Sequence, residues 1–284
     1  MAANQLPKQV SLLAKSLKNG GKKINLDKNG YSNTIVYKNV PLSKEHIENF
    51  RNFLGIEAKV PAVYWFTLTL RSQLAFMNEP SFPFPVMGSV HLGNSIEIVG
   101  DVDLSKPVDV ETTFNVPYKE EGSLLSDGII NILQDGKVIV KTTGDFIKIR
   151  KRKGPKKEEE KAEEEVESRN PVHTEDLYYE KNIGWKYARY SGDFNPIHLG
   201  NFLAKYLGGM KQTIAHGWFS ASRVSKIIEK YTGKEVKFFD VKFKNPVTLP
   251  STTTVRLFEG KDGHIDFDMI NKDGETCLYG TAKN

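Results

Sequence analysis

Cysteine is almost missing. Cys277 is the only one in 284 residues, so no disulfide can form within the chain, and its place in a strand pattern suits a small core residue. That usage fits a reducing compartment and points to the cytoplasm. There is also no run of about 18 or more apolar residues, so no membrane-spanning helix is expected. Met1 to Lys23 is basic but lacks a continuous apolar centre, which argues against a secretory signal. Only six histidines occur. None stands with a cysteine or at a familiar ligand spacing, so neither a metal nor a cofactor is expected. Charge of one sign is in modest excess: the formal net charge is +5. That suits an anionic partner, but the excess is small and spread out. It argues against nucleic acid and leaves a phosphorylated thioester or an acidic carrier protein.

What is present is ordinary globular material, 39% hydrophobic and 26% charged, enough for one large or two modest domains. Residues 1–30 read as a Lys-rich extension with a short stripe of Leu12, Leu13 and Leu17. A strand is expected over Asn33 to Val40. Ser43 then caps a helix whose apolar face is Ile47, Phe50, Phe53 and Leu54, with His46 on its solvated side. Val60 to Met77 is long and apolar enough for a buried helix, and it would serve as core or as one wall of a channel. Strands follow at Val90–Gly93, Ser95–Val102, Val108–Val116, Gly128–Leu133 and Val138–Ile149, with Asp135-Gly136 as a tight hairpin. Residues 151–170 are a different material, mostly Lys, Arg and Glu with almost no apolar residue to bury. They read as an exposed linker and domain boundary.

The most informative stretch follows the linker: Tyr190-Ser191-Gly192-Asp193-Phe194-Asn195-Pro196-Ile197-His198, and eighteen residues after it His216-Gly217. A helix in which Trp185, Tyr187, Ala188 and Tyr190 recur at spacings that partly share a face ends at Ser191-Gly192, because glycine tolerates the left-handed C-terminal conformation. Asn195-Pro196 starts a new helix, expected to run on to Leu207, by an N-cap followed by a proline that costs no helical bond. The acid therefore sits in the joint and the imidazole in the next turn. An Asp and a neutral His so placed can hold one water and move its proton. The same residues also make good turn chemistry, with Asp193 or Asn195 capping backbone donors.

Tyr187-Ala188, Ser191-Gly192-Asp193, Asn195-Pro196-Ile197-His198 and Ile214-Ala215-His216-Gly217 together resemble the MaoC-like (R)-specific enoyl-CoA hydratases and 3-hydroxyacyl dehydratases, over roughly Thr174 to Ala282. The resemblance implies an α+β hot-dog fold, a long helix wrapped by a curved antiparallel sheet. It implies Asp193 and His198 as the catalytic pair, Gly217 as the backbone donor to the thioester carbonyl, Asn195 as a supporting residue, and His216 beside Gly217 at the substrate. Trp218 departs from the pattern, being bulky where a slimmer aliphatic residue is expected, which bears on acyl-chain preference. The activity implied is reversible hydration of a trans-2-enoyl thioester to the (R)-3-hydroxyacyl thioester, on acyl-CoA. Its rivals are dehydration on an acyl-carrier-protein thioester, a non-catalytic acyl-thioester binding protein, and a metal site made of Asp193, His198 and His216.

The two halves repeat each other weakly. Ala62-Val63-Tyr64-Trp65-Phe66 lies on Ala215-His216-Gly217-Trp218-Phe219, each heading a long helix, and Asp135-Gly136 and Asp273-Gly274 occupy similar hairpins. Two tandem hot-dog domains are thus expected, a silent copy at 31–150 and a catalytic copy at 171–284. Side by side they would form an internal pseudo-dimer, existing as a monomer or pairing again as a homodimer.

Overall fold

A computed structural model describes residues 5–150 and 169–284, so the charged linker at 151–170 falls almost wholly outside the described residues. In chain order the first half contains α1 (Gln9–Lys18), β1 (Tyr31–Val40), α2 (Lys44–Leu54), α3 (Trp65–Met77), β2 (Ser89–Ile98), β3 (Val108–Val116), β4 (Leu124–Gln134) and β5 (Lys137–Lys148). The second contains β6 (His173–Tyr179), α4 (Ile183–Ser191), α5 (Asn201–Gly208), α6 (Gly217–Thr232), β7 (Phe238–Phe243), β8 (Ser251–Glu259), β9 (Ile265–Asn271) and β10 (Thr276–Lys283). Single 3-10 turns at Ala62–Tyr64 and Pro196–His198 precede α3 and α5.

The ten strands form one sheet in the order β1-β3-β4-β5-β2-β7-β10-β9-β8-β6, with antiparallel pairings throughout. Each half thus places its first strand at an outer edge and its second at the centre, so the two halves mirror each other across the β2–β7 seam. There Gly93–Glu97 pair with Lys242–Phe238. Gly93 lacks a side chain because the stem of Lys242 crosses it: a Cβ would lie 2.5 Å from Lys242 Cδ. Lys242 continues over β2 to Asp145 of β5 at 3.0 Å, an ion pair that joins the halves.

Alternation explains the sheet's inner face. In β3, Val108, Val110, Thr112, Phe114 and Val116 are buried while the residues between them are half-exposed, as a period of two requires. Helix α3 is buried nearly all round, and α6 buries a broad face that includes Trp218, Phe219, Val224, Ile227 and Ile228. Each such large apolar side chain removed from water contributes about 1.5–3 kcal/mol. Asp135 and Gly136, both at positive φ, make the β4–β5 turn, matching the type I′ geometry that suits strand twist.

The structure departs from the sequence expectations at several points. Strand β6 was not anticipated. Its acidic residues Glu175 and Asp176 mask an alternation that buries Leu177 and Tyr179, and as an edge strand it tolerates charge. The strand expected over Ser95–Val102 ends at Ile98, after which Val99 and Gly100 donate to the Ile139 carbonyl. Trp185 faces solvent, and the buried face of α4 is Ile183, Gly184, Tyr187, Ala188 and Ser191. The N-terminal extension docks on the body, one of the two outcomes its Leu stripe allows: Leu12 is buried, and Arg71 of α3 bonds the Leu6 and Pro7 carbonyls.

Candidate active site

The loop between α4 and α5 folds on its own hydrogen bonds. Gly192 takes the left-handed conformation at φ 71° and closes α4 on the Ala188 carbonyl. Ser191 Oγ donates to Tyr187 O and accepts from Asp193 N at 3.2 Å. Asp193 Oδ1 accepts from Asn195 N at 3.1 Å, and Asn195 Oδ1 caps the next turn by accepting from Ile197 N. That turn is a single 3-10 turn over Pro196–His198, not the start of the longer helix expected; Gly200 breaks the chain before α5 begins.

The turn delivers His198 to a buried position. Its Nδ1–H donates to the Ile214 carbonyl at 3.0 Å, since a ring nitrogen facing a carbonyl oxygen must carry the proton. In the neutral ring Nε2 is then a bare acceptor. His216 lies flat against it, ring centroids 3.8 Å apart and planes 29° apart. His216 Nε2–H donates to the Asp193 carbonyl at 2.8 Å, so this histidine fixes the backbone of the acid. One donor atom from each of Asp193, His198 and His216 falls within 4.8 Å of the others. Two hydrogen bonds meeting at one water span about 4.5 Å, so the spacing suits a bridging water. It would also suit a cation.

Gly217 opens α6, the longest helix of the second half. No side chain caps this helix. Phe219 and Ser220 N–H turn back to the His216 carbonyl, and the first N–H groups of a helix have no intrahelical acceptor. The helix dipole adds to their pull on negative charge. A Cβ at Gly217 would lie 2.8 Å from Phe243 Cε1, so Gly217 is where an aromatic wall approaches the backbone.

Three residues that matter here were not identified from the sequence. Gly184 of α4 packs so closely on the His198 carbonyl that a Cβ there would overlap it. A lone glycine inside a helical pattern was the available signal. His46, expected on a solvated face, instead donates from Nε2 to the Tyr190 carbonyl at 2.8 Å and accepts at Nδ1 from the Tyr64 hydroxyl at 3.0 Å. Together with Phe53, stacked on Tyr190 at 4.5 Å, it ties the first half to the end of α4. His91 of β2 lies in the field of Asp193. No periodicity in the sequence singles it out.

Electrostatics follow burial. Burial pushes His91 down to about 4, against the opposing pull of Asp193. Burial also lowers His198, again opposed by Asp193 and by the Ile214 bond, and it lowers His216 well below the usual imidazole value, helped by His198. All three rings are therefore neutral near pH 7. The unfolded chain takes these protons first as pH falls below about 6.5, so in that window it binds more protons than the folded chain and stability is lost. The expected result is a melting temperature that falls from about pH 6.5 down through about 4, with a shallower slope in His91→Phe. Equal slopes in thermal melts of the two proteins would refute the His91 share.

Comparisons with known proteins bear on the family and the fold. Residues 157–276 match the model of the MaoC like domain. Among curated proteins, the 3-hydroxyacyl-thioester dehydratase X of Mycobacterium tuberculosis is 27% identical over 240 residues, covering 84% of each chain. The fatty acid synthase subunit beta of Saccharomyces cerevisiae is 24% identical over 269 residues, which are 89% of this chain and 12% of that one. The crystal structure of HtdX of M. tuberculosis superposes with a TM-score of 0.71 at 27% identity, covering 89% of this chain and 100% of that chain. A MaoC-like dehydratase from Phytophthora capsici shares the fold, with a TM-score of 0.66 at 19% identity and coverage of 91% and 97%. The architecture is the tandem hot dog. No helix among the described residues is long and apolar enough to cross a membrane.

Proposed function

The chain belongs to the MaoC-like dehydratase family, and from that premise we propose that it hydrates trans-2-enoyl thioesters reversibly to (R)-3-hydroxyacyl thioesters. The observation that carries this is the pairing of the Asp193 carboxylate with a buried, neutral His198 at a spacing that fits one water.

In this reading both groups accept hydrogen bonds from the same water. As its oxygen attacks C3, one of them takes a proton, and that group becomes the acid that returns a proton to C2. One water and the pair complete the addition with no other reagent. Negative charge develops on the thioester oxygen, and the Gly217 N–H at the head of α6 receives it. One preorganised donor of this kind is worth roughly 3 kcal/mol in the transition state. Asn195 supports the site by holding the Asp193 carboxylate through its N–H and by capping the turn that carries His198. His216 acts on the substrate side by fixing the Asp193 backbone next to Gly217.

The same reading assigns the first half, 31–150, as a catalytically silent partner of the catalytic half, 171–284. The mirrored strand order supports that division. Where His216-Gly217 heads α6, the first half has Val63-Tyr64 ahead of α3. The substrate is an acyl thioester, with CoA as the carrier. A carrier-protein thioester run toward dehydration is the rival, and relative turnover of the two thioesters separates them.

The purified protein is expected to remove the enoyl-thioester absorbance of crotonyl-CoA, and to keep doing so after dialysis against a chelator. Activity lost on chelation and restored by a divalent cation would replace the water reading with a metal at Asp193, His198 and His216. No turnover of crotonyl-CoA or of any longer enoyl thioester would leave the binding-protein reading.

A further inference from the structure

The inner face of the silent half holds polar atoms that the proposed chemistry does not use. Four near-parallel rings run inward from the head of α6: Trp218 on Phe66 at 4.4 Å, Phe66 toward His91 at 5.9 Å, and His91 on Phe146 at 4.6 Å, with interplanar angles of 20°, 12° and 11°. One ring in that column is an imidazole. Its Nε2 is shielded from solvent and has no partner among the described residues, while the ring is also held by the Gly93 backbone.

A bulge aims it there. His91 pairs with Phe146 and Gly93 with Asp145, so β2 spends one extra residue, Leu92. A bulge of this kind re-aims a side chain. It puts His91 on the same inner face as Asn94, which strict alternation would forbid.

Beyond His91 the polar atoms continue. Gln73 stands two turns after Phe66 on the same face of α3 and is fully buried. Neither its Oε1 nor its Nε2 meets a partner among the described residues. Asn94 is also fully buried; its Nδ2 donates to Thr142 Oγ1 at 3.3 Å, but its Oδ1 has no partner there either. The two amides converge over Gly144, where a Cβ would lie 2.6 Å from Gln73 Nε2 and 3.3 Å from Asn94 Nδ2. Buried polar groups are nearly always paired, and each exception asks for an explanation. Two hydroxyls of α3 have one: Ser72 accepts from Thr112, and Thr69 bonds its own helix.

We propose that His91, Gln73 and Asn94 form a subsite in the silent half that takes a hydroxyl group on the acyl chain, beyond the carbons that react. The proposal rests on the hydratase reading of the Asp193–His198 site. The atoms on offer choose the ligand. Asn94 Oδ1, Gln73 Oε1 and His91 Nε2 are acceptors, and Gln73 Nε2 is a donor. A hydroxyl donates to one of these acceptors and accepts from Gln73 Nε2, so it engages both kinds of group. A ketone can use only the one donor. A carboxylate would be buried against three acceptors, and the nearby Lys242 ammonium is already paired with Asp145. His91 is half-buried and the two amides are fully buried, so in this proposal the chain would meet His91 before the amides.

The test compares hydration of crotonyl-CoA, of trans-2-decenoyl-CoA, and of the same ten-carbon chain carrying one hydroxyl at each carbon beyond the double bond in turn. Wild type is expected to favour one hydroxylated chain over the plain one by about tenfold or more in kcat/KM, since a site built to bond a hydroxyl discriminates against its absence. Gln73→Leu and His91→Phe, which keep volume and stacking, are expected to bring that ratio to one or below. The ratio within each protein is read, so a general loss of folded enzyme cancels. If wild type hydrates crotonyl-CoA but prefers no hydroxylated chain, the subsite is refuted on wild type alone, even where a variant fails to fold. If the preference persists unchanged in both variants, the amides and His91 are structural and the proposal falls. If no thioester is hydrated, the hydratase reading has failed instead.

Discussion

Asp193→Asn is expected to lose at least about a hundredfold in crotonyl-CoA hydration while keeping the wild-type melting temperature within a few degrees. A positioned general acid–base group contributes typically 10²–10⁴-fold, and the amide removes the proton-accepting oxygen without removing the local bonds. Asn can still accept from Asn195 N through its carbonyl oxygen, as Asp193 Oδ1 does, and the backbone bonds to Ser191 and His216 do not involve the side chain. His198→Ala is expected to match it in rate. It also leaves the Ile214 carbonyl without its ring donor, so some loss of stability should accompany it. Enoyl-thioester absorbance and thermal melts on the same preparations give both numbers. Wild-type turnover in Asp193→Asn would remove this residue from the chemistry.

The second large effect is expected at a residue that touches no substrate. Gly184→Ala inserts a methyl group where the His198 carbonyl already lies. Backbone cannot yield as a flexible side chain can, so α4 and the Pro196–His198 turn must separate. Overpacking of this kind costs about 1–3 kcal/mol, sometimes more, which for a chain of this size lowers the melting temperature by roughly 2–4 °C per kcal/mol. The rate should fall further than the melting temperature suggests, because the displaced carbonyl is the backbone of His198, the proposed catalytic residue. Misplacement by about 1 Å can cost a hundredfold. Gly21→Ala is the control: nothing lies within 4 Å of a Cβ there and its φ is not positive. Equal melting temperatures and rates for the two variants would show that the α4 contact carries no positioning role.

The loop between α4 and α5 was legible because its information is local. Gly192, Asn195 and Pro196 act on the bonds beside them, and the structure uses Gly192 as a C-cap and Asn195 as an N-cap. The long helices and the Asp135-Gly136 hairpin were legible for the same reason. What escaped depends on partners distant in the chain. His46 looks like any polar residue on the outside of a helix until α4, 144 residues away, brings the Tyr190 carbonyl to it. Strand β6 carries too much charge to announce itself, and only its pairing with β8 identifies it. Trp218 read as a misfit in the motif. In three dimensions it stacks on Phe66 of the other half, so its bulk fills a space that one half alone does not define. The single residue Leu92 decides which way His91 points, and no composition or period encodes that.

The central seam has a consequence for how the chain can be cut. Strands β2 and β7 are interior only because each covers the other. Freed from the first half, the second would present β7 as a naked row of backbone donors and acceptors, the kind of margin that recruits another chain. It would also expose Trp218 and Phe243, whose rings now face Phe66 and His91. Such a fragment is a dimer-seeking molecule, and its nearest suitable mate is another copy of itself. A homodimer of second halves would then carry two copies of the Asp193–His198 cluster, each with a mate that lacks Gln73, Asn94 and His91. Fusion in one chain does more than guarantee a mate: it lets the two sides of the seam differ.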